Sequence, residues 1–275
     1  MTMTDITAAT PRATGRVVGV WRAATLRVEA CWRWYRRSWR TTLQASVLQP
    51  LLFLGAMGLC FGSQVRPGPA TDGHPYVQYI APALLVSTVL TTAVAEAGKP
   101  VLSSFQWQRD FIAVTATPVT PGQLLAGQLL WITLRLLIGA VIFLLIGILL
   151  GGWADGWAVL AVPVAVLTGA ACAAPVAAYA ATVRGDGHGL VAINRFVVLP
   201  MTLFAGTFFP ISALPLAVRP LAWISPLWHG NELARGLTLG GLTAPAAALH
   251  VTFLGALLTV GVVAARRTFH RRLVV

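Results

Sequence analysis

Acidic side chains are scarce in this chain: 8 Asp and Glu stand against 20 Lys and Arg in 275 residues. Only 10% of the residues are charged, 57% are hydrophobic, and mean hydropathy is +0.75. Soluble globular domains carry about a quarter charged residues, so that class is excluded. Three cysteines, Cys31, Cys60 and Cys172, offer no disulfide framework. No glycine-rich loop ends in Lys-Ser or Lys-Thr, which excludes ATP binding by that route. No acidic pair of the kind that holds Mg²⁺ for pyrophosphate cleavage is present. Neither a metal-ligand set nor a Ser/His/Asp arrangement appears. Asp186 and His188 lie among glycines without a third ligand, and read as a turn. A proton relay also lacks material, because charges inside apolar runs are almost absent.

What is present is long apolar sequence. Runs of about 19 residues or more suffice to cross a hydrocarbon core as helix. Five such runs are uncharged or nearly so, at 41–65, 136–154, 156–183, 196–218 and 236–265. A sixth, 75–98, is interrupted only by Glu96 near its end. Alternating barrel strands are not seen. Backbone groups must then be satisfied inside each segment, which predicts an all-α polytopic bundle of six transmembrane helices. The net charge of +12 invites a nucleic-acid reading, but its placement does not support one.

In chain order, 1–14 is a polar tail predicted to be disordered, with no apolar core beside a cleavage site. From 15 to 42 the texture is that of an amphipathic helix. Val17, Trp21, Ala24, Val28, Cys31, Trp32, Tyr35 and Trp39 recur at helical spacing, and Arg22, Glu29, Arg33, Arg36, Arg37 and Arg40 fill the other face. Basic helices with Trp and Tyr lie flat at a headgroup layer. One reading makes this helix a plain positive-inside anchor; the other makes it an interface with a partner. The spans follow at 43–62, 76–97, 123–150, 157–183, 190–209 and 243–265, within a domain covering 43–265. Hydroxyls of Ser87, Thr88, Thr91 and Thr92 fit two readings equally: they line a path, or they bond the carbonyl four residues back. Segment 210–242 is apolar yet broken by Pro215, Pro220 and Pro226, which predicts a re-entrant helical hairpin before the last span. A basic tail, 266–275, ends the chain.

The segment 105–135 separates two apolar runs. It carries Trp107, Arg109, Phe111, Ala113, Thr117-Pro118-Val119, Gly127 and Leu130-Trp131. With the Gln-Pro-Leu-Leu opening of the first span, Ala81-Pro82 in the second, and the stretches 208–215 and 225–240, this order resembles type-2 ABC exporter permeases. The similarity runs from Trp32 to Arg267 and points to the nodulation-factor and daunorubicin-resistance exporter subfamily.

That resemblance implies a transport subunit that is not itself an enzyme. ATP and Mg²⁺ would be held by a separate ABC ATPase in two copies, and a second permease, identical or paralogous, would complete a dimer. Trp107, Arg109, Asp110, Phe111, Thr117 and Pro118, in the loop 99–121, become candidates for coupling to the ATPase. Trp21, Trp32, Arg33, Arg36 and Trp39 become interface-helix candidates, and Thr88, Thr91, Thr92, Asn194, Phe204 and Thr207 substrate-path candidates. The implied cargo is amphiphilic: a glycolipid, a lipid-linked glycan or a hydrophobic drug. Alternatives are a membrane-embedded enzyme acting on a lipid, which needs clustered polar residues on one face, and a proton-coupled transporter, which needs a mid-membrane carboxylate. Glu96 lies too near a helix end for the latter. Placing sixteen of the 20 basic residues inside predicts a cell-membrane protein with both termini cytoplasmic, which an even number of spans satisfies.

Overall fold

The computed structural model describes residues 19–274 other than 67, 69, 70, 72 and 218; the side chains of 38–46, 49, 59 and 61 also fall outside the description. The 1–14 tail and the side chain of Trp39 therefore lie outside the described residues. Helices make up the fold, and no strand occurs among the described residues. In order they are α1 (Val20–Phe53), α2 (Tyr76–Ala97), α3 (Lys99–Gln106), α4 (Asp110–Thr115), α5 (Pro121–Leu149), α6 (Ala161–Ala180), α7 (His188–Ile193), α8 (Leu199–Phe204), α9 (Arg219–Ile224), α10 (Pro226–Leu239) and α11 (Ala244–Leu273). Segments Tyr76–Gln106, Pro121–Leu149, Gly156–Ala180 and Ala244–Leu273 are long and apolar enough to cross a membrane. Two shorter apolar stretches, Pro50–Gln64 and His188–Phe204, occupy the places where the sequence predicts the first and fifth spans.

Local chemistry explains the boundaries. Pro121 opens α5 at a position where its missing donor costs nothing. Thr120 and Gln123 form a reciprocal cap, Thr120 N to Gln123 Oε1 at 2.9 Å and Gln123 N to Thr120 Oγ1 at 3.3 Å. The prolines before this helix therefore start it as well as ending what precedes. Between α2 and α3 stands Gly98, with Pro100 early in α3, so the chain bends there and does not continue straight. The amphipathic segment and the start of the first span, divided by the sequence reading at 42, form one helix, α1. A proline inside it, Pro50, precedes a π-helical run at Leu54–Phe61.

At the centre lies α6. A Cβ at Gly169 would stand 2.8 Å from Leu136 Cδ1 and 3.0 Å from Val89 Cγ1, so only glycine lets α2, α5 and α6 meet here. On the next face, a Cβ at Gly261 of α11 would press on the Pro175 ring at 2.6 Å. Gly127 of α5 gives α1 the same close approach: its Cβ would meet Arg27 Cβ at 2.7 Å and Ala24 Cα at 3.2 Å. These three contacts set α1, α5, α6, α2 and α11 as neighbours. They bring α3, α4, the start of α5 and the end of α11 to one end of the bundle.

Candidate functional site

At that end the loop α3–α4 is fastened by one charge and one aromatic cluster. Arg27 of α1 donates from Nη1 to Asp110 Oδ2 at 2.8 Å and from Nε and Nη2 to Gln128 Oε1 at 3.3 and 3.1 Å. The same guanidinium lies over the Phe111 ring, 4.9 Å from its centroid. Phe111 is fully buried and meets Phe105 edge-on at 4.8 Å; Phe105 in turn meets Phe269 of α11 at 4.9 Å. Arg272 sits over Phe105 and caps the end of α6, its Nη1 donating to the carbonyls of Ala180, Ala181 and Val183 at 3.2, 2.9 and 2.6 Å. Gln106 Nε2 donates to Val183 O at 3.0 Å. Six helices, α1, α3, α4, α5, α6 and α11, thus share one knot.

This geometry divides the six residues assigned to the coupling loop. Trp107, Arg109, Thr117 and Pro118 are exposed, as are Ile112 and Ala113. Phe111 is not: the contacts that bury it make it an anchor, not a surface. Asp110 is half-buried and bonded to Arg27, so its charge is turned inward and not offered beside Arg109. Arg109 forms no ion pair among the described residues, and it adopts a left-handed backbone conformation, φ +52°, at the start of α4. A non-glycine residue there carries strain of about 1–3 kcal/mol, held by the surrounding structure.

A second knot ties α1 to α2 and α5. Arg135 Nη2 reaches Glu96 Oε1 at 3.2 Å, and its guanidinium lies 4.9 Å from the centroid of the Tyr35 ring. Tyr35 and Trp32 of α1 stand edge-on to Trp131 at 5.9 and 6.5 Å. Trp21 and Arg36 are exposed, while Arg33 pairs with Glu29 at 2.6 Å on the open face of the helix, an arrangement of little energetic worth. Between the knots, burial raises the Cys31 thiol above its ordinary pKa against the opposing pull of Arg27. Arg27 and Gln128 were missing from the sequence reading. Their signal was present: Arg27 stands three residues after Ala24 and four before Cys31, a charge set into the edge of an apolar stripe.

The path candidates separate as well. Thr88, Thr91 and Thr92 share a half-buried face of α2, with the last two hydroxyls donating to Thr88 O at 2.9 and 2.8 Å. Asn194 and Phe204 are exposed on the π-helical turn before α8 and at the end of α8. Thr207 is fully buried and accepts from Asn231 Nδ2 at 3.1 Å, so it fastens a turn. That turn, 205–208, is gripped by α10 at the far end of the bundle. Arg235 Nη2 donates to Gly206 O at 2.9 Å and its guanidinium stacks on Tyr79 at 4.0 Å, while Asn231 Nδ2 also donates to Ala205 O at 3.0 Å. His229 Nε2 bonds Trp223 O at 3.0 Å, so its Nδ1 accepts from Nδ1–H of His250 in α11 at 2.8 Å.

Comparison with known proteins places the chain in a family. Residues 26–239 match the model of the ABC-2 type transporter family. The chain is 28% identical over 233 residues to Nodulation protein J of Sinorhizobium fredii, covering 82% of this chain and 86% of that one. It is 28% identical over 248 residues to Nodulation protein J of Bradyrhizobium diazoefficiens, covering 89% and 93%, and 26% identical over 215 residues to that of Rhizobium meliloti, covering 77% and 80%. The family match covers α2 through α10 and most of α1, which contain the greater part of both knots, and the chain therefore belongs to the ABC-2 type transporter family of membrane subunits.

Proposed function

We propose that this chain is the permease half of an ATP-driven exporter, moving an amphiphilic molecule outward with energy supplied by a separate ATPase. Two permeases, identical or paralogous, and two ATPase subunits form the working unit. Six spans, counting the segments around Pro50–Gln64 and His188–Phe204, put both termini on the cytoplasmic side of the cell membrane. The observation that carries the reading is the knotted end of the bundle. Trp107, Arg109 and Ile112 stand exposed on a loop whose other side is fastened to α1, α5 and α11. A push on such a surface is passed to three long helices instead of being absorbed in a free loop. The concentration of arginines at this end supports the orientation. Cargo passes the α2 face bearing Thr88, Thr91 and Thr92, and Asn194 and Phe204. Amphiphilic cargo fits a face whose polar groups are a few hydroxyls and one amide, with Arg195 beside that amide.

Trp107→Ala and Arg109→Lys test the coupling surface, because Lys keeps the topological charge and loses the fork of donors. Both variants should reach the membrane at normal abundance, yet co-purify less ATPase and lose cargo-stimulated hydrolysis. Wild-type values for both would sink the coupling role.

A further inference from the structure

Away from the knots and from the α2 face, a lateral groove of about 710 Å³ lies between α5, α6 and α11, with the start of α1 at its edge. Its volume is within the range of small-molecule sites, about 300–1,000 Å³. The walls are aliphatic: Leu130 and Leu137 on one side, Val166 and Ala170 on the floor, Leu258 and Val262 on the other. The polar group on the α5 wall, the Thr133 hydroxyl, is already donated to Leu129 O at 2.9 Å. Along α6 the floor runs from Ala173 to Val162, about 16 Å at 1.5 Å per residue. That is close to the depth of one leaflet, half of a hydrocarbon core about 30 Å thick.

One end of the groove is cationic. Leu258, Val262 and Arg266 are spaced by four and share a face of α11, so the arginine stands where the groove closes. There Arg266 Nε comes within 3.9 Å of the Cβ position of Gly122, which continues the α5 stripe below Ala126. Trp21, 81% exposed, lines the same end. Of the described acids at this end, Glu29 pairs with Arg33, Glu96 with Arg135 and Asp110 with Arg27, while Asp186 stands exposed beside His188 at 3.9 Å. Arg266 has no ion-pair partner among the described residues, and its charge is left for something outside the chain.

We propose that this groove binds one anionic phospholipid, an acyl chain along α6 and the headgroup phosphate on Arg266, in the leaflet that Arg266 faces. Apolar walls take the chain by burial, and the unbalanced guanidinium selects a net negative headgroup over a zwitterionic one. Trp21 at headgroup depth covers the chain's upper carbons. The occupant is a resident lipid and not cargo, since the groove opens on helices other than the face bearing Thr88, Thr91 and Thr92.

Native mass spectrometry of the full chain in detergent, offered equimolar phosphatidylglycerol and phosphatidylcholine, tests this. One phosphatidylglycerol per chain should be retained, at least threefold over phosphatidylcholine. Arg266→Gln should erase that preference, whereas Arg267→Gln, one residue round the helix and off the groove stripe, should keep it. Leu258→Trp should fill the groove and lower retention of both lipids. Equal retention of the two lipids by the wild type, no retention, or matching losses in the Arg266 and Arg267 variants would overturn the site. Arg266 is exposed, so its variant folds and decides the matter even where Leu258→Trp does not.

Discussion

Phe111 and Trp107 sit four residues apart and do opposite things. Phe111 is closed in by Phe105, Phe269 and the Arg27 guanidinium, so Phe111→Ala leaves a cavity and should cost about 3–5 kcal/mol. Thermal unfolding in detergent checks this; a loss below about 0.5 kcal/mol would show the ring is not packed as described. Trp107 is exposed, and its removal should leave stability within about 0.5 kcal/mol while weakening the ATPase contact. Arg27 and Asp110 form a half-buried pair in which Asp110 Oδ1 is buried without a partner and Oδ2 takes the arginine. A double-mutant cycle of Arg27→Gln and Asp110→Asn should return a coupling of about 0.5–3 kcal/mol. Additivity of the two changes would mean the pair carries no energy of its own.

Among the elements, α1 and α10 are the two whose attachments are most specific. Helix α1 rests on α5 at Gly127, where the obstruction to a side chain includes the Ala24 backbone as well as a flexible side chain. Gly127→Leu should therefore lift α1 and destabilise the protein by about 1–3 kcal/mol, with membrane insertion intact. If unfolding temperature and ATPase association both stay at wild-type values, α1 is not seated there. At the other end, Arg235 binds one carbonyl closely and stacks on Tyr79. Arg235→Lys keeps the charge but loses the planar fork, so a loss of about 1.5–3 kcal/mol is expected, read as a drop in unfolding temperature. An unchanged midpoint would place the grip on the 205–208 turn with Asn231 alone.

For the whole molecule, topology is the property on which the functional reading turns. A reporter fused after Val275 and another inserted near Gly73 should report opposite sides of the membrane. Both on the cytoplasmic side would refute six spans. The structure itself contributes four segments of spanning length and two shorter ones, and the first of the shorter pair is a continuation of α1. Arg27 and Phe53 thus belong to one helix, which carries Pro50 near its end and passes into a π-helical run.

Composition and hydropathy were enough to establish a helical membrane protein, because a hydrocarbon solvent admits only helices and closed barrels, and of the two only the helix leaves a long apolar run. The order of Trp107, Arg109, Phe111, Thr117-Pro118 and Trp131 was enough to point to the family. Start and stop signals such as Thr120-Pro121 and Gly98 lie in the local sequence, since capping is chemistry between near neighbours. What local sequence does not contain is which residue meets which across the bundle. Arg27 and Asp110 are 83 positions apart, Glu96 and Arg135 are 39 apart, and Arg235 and Tyr79 are 156 apart. Those pairings depend on glycines 127, 169 and 230 letting helices approach within a side chain's reach. Only tertiary packing could decide that Phe111 and Thr207 are buried while Trp107 and Arg109 are exposed, because burial belongs to the neighbours a residue acquires and not to the residue itself.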